Sequence, residues 1–92
     1  MGKFNIQKQP NDILVDVAQK VRRLRRTNKW SQEELANRSG VSLGSLKRFE
    51  STGKISFIFL LKLANVFGRL EEFESLLVPK ETSNLNQLFS DK

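Results

Sequence analysis

Gln32-Glu33-Glu34-Leu35-Ala36-Asn37-Arg38-Ser39-Gly40-Val41-Ser42-Leu43-Gly44-Ser45-Leu46-Lys47-Arg48-Phe49-Glu50 is the stretch that decides the fold. It reads as two short helices joined by a tight turn. Ser31 precedes it as an N-cap, and Glu34 stands three residues on, which is the spacing of a capping box. Trp30 lies before the cap, where it can act as a hydrophobic staple on Leu35. Gly40 accepts the left-handed conformation that ends the first helix near Ser39. Ser42 caps the second helix, which turns Leu46 and Phe49 inward. Gly-Val-Ser is too short a link for two independent helices, so they must cross steeply, with Ala36 at the crossing and Val41 plugging the turn.

Charge is distributed unevenly along the chain. Residues 1–69 hold 14 Lys/Arg against 5 Asp/Glu, and residues 70–92 hold 2 against 5. A basic body with an acidic end suits a polyanionic partner on one side. Cysteine, histidine and tyrosine are all absent. That removes thiolate chemistry, the commonest general base, the commonest metal ligand and the phenolic acid. No catalytic residue, metal ligand or cofactor is expected, and the chain reads as a non-enzyme. Glycine-rich phosphate loops are missing, and no small-molecule ligand is evident. Met1 to Pro10 lacks a secretory apolar run, and Phe57–Leu61 is too short to span a bilayer. The expected location is cytoplasmic, on the nucleoid.

Residues 1–10 read as a flexible arm, from which Lys3 and Lys8 could reach phosphates. Helix one is expected from a cap at Asn11 or Asp12 to about Asn28, with Leu14, Val17, Val21 and Leu24 as its apolar stripe. Helix four is expected from Ser56 to Phe67. Its first face, Phe57, Leu60, Leu61, Ala64 and Phe67, would be covered within the domain. Its second face, Phe59, Leu63 and Val66, would need another cover. Helix five is expected over about Leu70 to Val78, with Phe73, Leu76 and Leu77 as an apolar triplet and Pro79 as its stop. Residues 79–92 form a polar tail with an apolar hook at Leu85, Leu88 and Phe89. The domain proper spans 11–78, an all-α five-helix bundle.

Gln32, Ala36, Gly40-Val41-Ser42, Leu46 and Phe49-Glu50 resemble the helix-turn-helix of the Cro/cI-like (xenobiotic-response-element) regulators of bacteria and phages, over roughly residues 12 to 78. The resemblance implies a compact lambda-repressor-like DNA-binding fold and a sequence-specific transcriptional regulator, a dimeric repressor of double-stranded DNA. It also implies a structural pair between Arg25 and Glu50, and a phosphate contact for Gln32. The second motif helix would enter the major groove with its N-terminal end foremost. Arg48 is then the best base reader, through guanine O6 and N7, with Ser45, Leu43 and Gly44 beside it. Leu43 would touch a thymine methyl group. Leu43 and Gly44 depart from the long polar residues common in the family, which leaves direct readout thin. Ser31, Gln32, Ser42, Lys47 and Lys54 are the expected phosphate contacts. A homodimer contact is expected at Phe59, Leu63, Val66, Phe73 and Leu77. The run Leu43 to Ser56 also looks like antitoxins of the HipB type, which neutralise a kinase-like toxin and bind their own operator. RNA binding is a weaker reading, because no stacking aromatics stand on the basic face.

Overall fold

A computed structural model describes residues 8–80 of the 92-residue chain. Among these residues five helices follow one another: α1 (Pro10–Thr27), α2 (Gln32–Ser39), α3 (Leu43–Thr52), α4 (Phe57–Val66) and α5 (Glu71–Glu74). There is no strand among the described residues. The apolar hook and most of the N-terminal arm lie outside the described residues.

α1 opens earlier than the cap expected at Asn11 or Asp12. Gln9 is its cap and Pro10 its first residue. Proline suits that position, since its fixed φ is helical and its missing N–H would go unpaired there anyway. Asp12 is therefore the third helical residue, and its carboxylate accepts the Gln9 backbone N–H at 2.9 Å. Lys8 does not stand free for phosphate; it pairs with Asp16 at 2.7 Å.

The hinge forms as expected. Glu34 N–H donates to Ser31 Oγ at 3.0 Å, and Gly40, at φ +80°, donates back to the Ala36 carbonyl. Val41 is sealed in the turn. Ser42 accepts from the Ser45 N–H and starts α3. The capping box is only half made, however. The Glu34 carboxylate turns to Arg38 at 2.7 Å, one helical turn ahead, instead of reaching back to Ser31.

The core consists of Ala18 and Val21 from α1, Leu35 and Ala36 from α2, Val41 from the turn, Leu46 and Phe49 from α3, and Leu63 from α4. Leu35, Leu46, Phe49 and Leu63 are at most 1% exposed. Burying a side chain of this size stabilises the fold by roughly 1.5–3 kcal/mol. Two expectations are corrected here. The buried line on α1 is Ala18, Val21 and Arg25, while Leu14 lies at its edge. α4 shows one wide stripe centred on Leu63, with Phe59, Leu60, Val66 and Phe67 packed alongside. Leu63 thus belongs to the chain's own core and is not available to a second copy. Residues spaced three and four apart straddle it on both sides, so the two expected faces merge into one. Phe57 and Ile58, on the first turn, are left exposed.

α5 is shorter than its apolar triplet suggests. It stops at Glu74, and Leu77 takes a left-handed φ of 63° with its side chain fully exposed. A four-residue helix without a side-chain cap makes too few hydrogen bonds to repay its own nucleation. α5 is accordingly held through Phe73, whose ring meets Phe57 edge-on at 6.0 Å.

Gly53 ends α3 at φ +85° and is buried against α1. A β-carbon there would stand 2.8 Å from the Leu14 carbonyl carbon, whereas one at Gly40 would meet nothing within 4 Å. Both sites require positive φ, which costs an L-residue about 1–2 kcal/mol. Gly40→Ala is therefore expected to destabilise by about that amount. Gly53→Ala should cost a further 1–3 kcal/mol, roughly, because α1 must move away. Urea unfolding of the two variants in parallel separates backbone strain from the steric clash, and equal losses would mean that α1 and α3 can part freely at this point.

Candidate nucleic-acid interface

Arg25 and Glu50 build the base of the interface. Arg25 Nε donates to Glu50 Oε2 at 2.8 Å, and its Nη2 donates to Oε1 at 2.9 Å. The two side chains are 10% and 5% exposed. Arg25 Nη1 donates to the Trp30 carbonyl at 2.8 Å, and Gln32 Nε2 donates to Glu50 Oε1 at 2.9 Å. One guanidinium thus ties the end of α1 to the turn after it and to the end of α3, while Gln32 brings in the start of α2.

The turn that supplies the Trp30 carbonyl is itself constrained. Lys29 sits at φ +61°, so Trp30 N–H can donate to the Arg25 carbonyl at 3.1 Å and Lys29 N–H to that of Arg26 at 2.9 Å. These two bonds close α1 in the Schellman manner. A lysine at this φ costs about 1–2 kcal/mol. The Trp30 ring stacks on Phe67 at 5.8 Å, and the Arg38 guanidinium lies 4.3 Å from its centre.

Burial alone would raise the Glu50 carboxyl above its ordinary range. The hydrogen bonds from Arg25 and Gln32, with the charges of Arg25 and Arg22, outweigh that effect and hold it below. Glu50 is therefore an anion at neutral pH.

An open cleft of about 500 Å³ lies over this network. Its walls carry Arg22 and Arg26 from α1, Ser31 and Gln32 at the start of α2, and Lys47 from α3. A second hollow, of about 160 Å³, lies beside Ser45, Arg48, Lys54 and Ser56.

α3 runs between these two hollows, and its exposed face carries Gly44, Lys47 and Arg48. Arg48 points away from the core while its neighbours Leu46 and Phe49 are buried. Ser45 is half-buried, and its hydroxyl is bonded to that of Ser42 at 2.9 Å. Ser31 and Ser42 use their side-chain oxygens as caps. Lys54 is exposed, on the loop after Gly53.

Two sequence-predicted residues do something else. Leu43 is half-buried and packs against the core, not outward toward a thymine methyl. It stands one turn before Leu46 and shares that residue's inner face. Gln32 commits its amide nitrogen to Glu50, so at most one of its N–H groups is left for a phosphate. Arg22 and Arg26 are not among the contacts expected from the sequence, although both line the cleft. Their i, i+4 spacing, facing Lys47 across the motif, was the signal available.

Among the expected dimer residues, Phe59 and Val66 lie against the core, Phe73 is half-buried and Leu77 is exposed. Among the described residues no group of acidic side chains could hold a metal ion, and no helix is long and apolar enough to cross a membrane.

Residues 21–73, more than half of the chain, match the family model described as helix-turn-helix, which is of the Cro/cI-like (xenobiotic-response-element) type. No curated protein and no solved structure matches the chain.

Removing one partner from a buried, bidentate pair leaves the other uncompensated. Arg25→Ala is expected to cost about 3–5 kcal/mol. The double variant with Glu50→Ala should lose much less than the sum of the two single changes, and additive losses would mean the pair is not coupled. Glu50 titrates lower in the folded protein, so its contribution is present above the ordinary glutamate pKa and fades as pH falls through the lowered one. Wild type should accordingly lose its stability advantage over Glu50→Gln as the medium is acidified, which urea midpoints across the carboxylate range would record.

Proposed function

We propose a function from one premise: the chain belongs to the Cro/cI-like helix-turn-helix family of DNA-binding transcription regulators, and double-stranded DNA is its partner. In our reading it is a sequence-specific repressor that binds as a homodimer. α3 enters the major groove with the Ser42-capped end foremost. Arg48 reads a guanine through two hydrogen bonds, and Ser45 and the bare backbone at Gly44 lie against neighbouring bases. Ser31, Gln32, Ser42, Lys47 and Lys54 face the phosphates, using side chains and the backbone N–H groups at the helix starts.

The observation that carries this reading is the exposure of Arg48 between two buried neighbours, with a basic hollow on either side of its helix. A repressor needs no further activity, since occupancy of an operator is enough.

The dimer is proposed at the first turn of α4 and the end of α5. Phe57 and Ile58 are 56% and 57% exposed there, and Leu76, Leu77 and Val78 are exposed as well. A second copy would cover them and would set two recognition helices ~34 Å apart, one turn of the duplex. A second reading, as an antitoxin, places a kinase-like toxin on the same apolar surface. It is separated by purification with the product of the neighbouring gene, which on this reading yields a stable complex of the two.

Selection of binding sites from random DNA should return a two-fold symmetric site. Arg48→Ala should lose preference at one guanine per half-site, about 1–3 kcal/mol of discrimination, and leave the other positions unchanged. An unaltered site would dismiss Arg48 as the reader. In sedimentation at high micromolar concentration the wild type should be a dimer and Ile58→Glu a monomer, with the thermal midpoints of the two converging on dilution. A wild-type monomer with and without DNA would refute the dimer.

A further inference from the structure

The walls of the cleft over the Arg25–Glu50 network hold four cationic side chains and one carboxylate. That carboxylate is fully used: Oε2 accepts from Arg25, and Oε1 accepts from Arg25 and Gln32. Arg25 is likewise spent on Glu50 and Trp30. The uncommitted charge therefore belongs to Arg22, Arg26 and Lys47, all exposed and none in an ion pair among the described residues.

Arg22 and Arg26 are one helical turn apart on the same face of α1. Like charges at this spacing destabilise a helix. An anion seated between them would reverse the sign of that interaction. The start of α2, at Ser31 and Gln32, opens into the same cleft, but with the Gln32 amide turned to Glu50 it offers mainly backbone N–H groups.

We infer that Arg22 and Arg26 of α1, facing Lys47 across the cleft, grip one phosphate of the DNA strand bordering the groove that α3 enters. This rests on the DNA-binding reading above. It moves the main backbone contact on this side from the motif to the helix before it. The phosphate takes hydrogen bonds from the two guanidinium groups and the Lys47 ammonium, and these cations displace condensed counterions from the duplex. Base preference is untouched, because neither arginine lies on α3.

Arg23 provides the internal control. Its replacement removes the same charge from the same helix; Arg23 shares with Arg22, Arg26 and Gln19 a hollow on the outer side of α1, but unlike Arg22 and Arg26 it does not line the cleft with Lys47. The experiment measures binding of the full chain to its selected duplex across a fourfold range of salt, for wild type, Arg22→Gln, Arg26→Gln, Arg23→Gln and Arg22→Lys. Losing one phosphate contact should lower the slope of log K against log salt by about 0.9, roughly a 3–4-fold smaller drop in affinity across that range. Arg22→Gln and Arg26→Gln should each show this with an unchanged selected site. Arg23→Gln should keep the wild-type slope, and Arg22→Lys should restore most of it. Thermal midpoints of all variants should stay within roughly a degree or two of wild type, since the three arginines are exposed and their charge interactions are weak. If all three glutamine variants change the slope equally, the effect is general charge and the clamp is overturned while DNA binding stands. If wild type binds no duplex at all, both readings fall together.

Discussion

A buried guanidinium holds the molecule in register. Arg25 joins the last turn of α1 to the last turn of α3, and its third arm takes the carbonyl of the turn that leads into α2. Gln32 completes the set from the start of α2. Taking two charges out of water costs several kcal/mol per ion, so the net gain in stability from such a pair is small. What it returns is geometry. A bidentate fork permits little rotation, so α3 is fixed relative to α1, and with it every side chain that α3 displays. No buried side-chain polar atom lacks a partner among the described residues, which is the condition under which such a network rigidifies rather than weakens a core.

The motif was legible because its signals are local. Ser31, Gly40, Ser42 and Gly53 act on backbone within four residues of themselves, and each ends or starts a helix where its chemistry requires. The inward turn of Leu46 and Phe49 follows from helical spacing alone. What could not be read is set by neighbours distant in sequence. Ala18 lies at the centre of the α1 contact, a residue too small for a hydrophobic stripe to signal, yet nearly fully buried. Gly53 approaches the backbone at Leu14, thirty-nine positions away, so the closeness of that contact is invisible in either segment. On α4 nearly every residue is apolar, and periodicity cannot choose a face when all faces look alike. Leu63 turned out to be core for that reason, and only the first turn was left over.

The reading surface had the same division. That Arg48 would stand outward follows from its place between Leu46 and Phe49. Leu43, one turn before Leu46, shares the inward side by the same spacing, and only the extent of its burial is set by the packed hinge. The Glu34 carboxylate had two acceptable donors, the Ser31 N–H and Arg38, and took the one with full charge. Where two local rules compete for one group, sequence gives the alternatives and the folded surroundings choose.

With Leu43 drawn inward and Gly44 bare, the proposed reading head carries one long polar side chain that can make a bidentate contact. A single such contact discriminates by about 1–3 kcal/mol, far below the roughly 4–10 kcal/mol that separates specific from non-specific binding. The surplus cations of the body add affinity without preference, so they cannot close that gap. Two copies on a symmetric site can narrow it, because each adds its own reader and the gains sum across half-sites. The distribution of charge fits that arrangement. Glu71, Glu72 and Glu74 stand beside the apolar surface proposed for the second copy, and the uncommitted arginines border the cleft beneath α3. On the proposed reading, a duplex drawn to the cationic cleft would leave that apolar surface clear for the second copy.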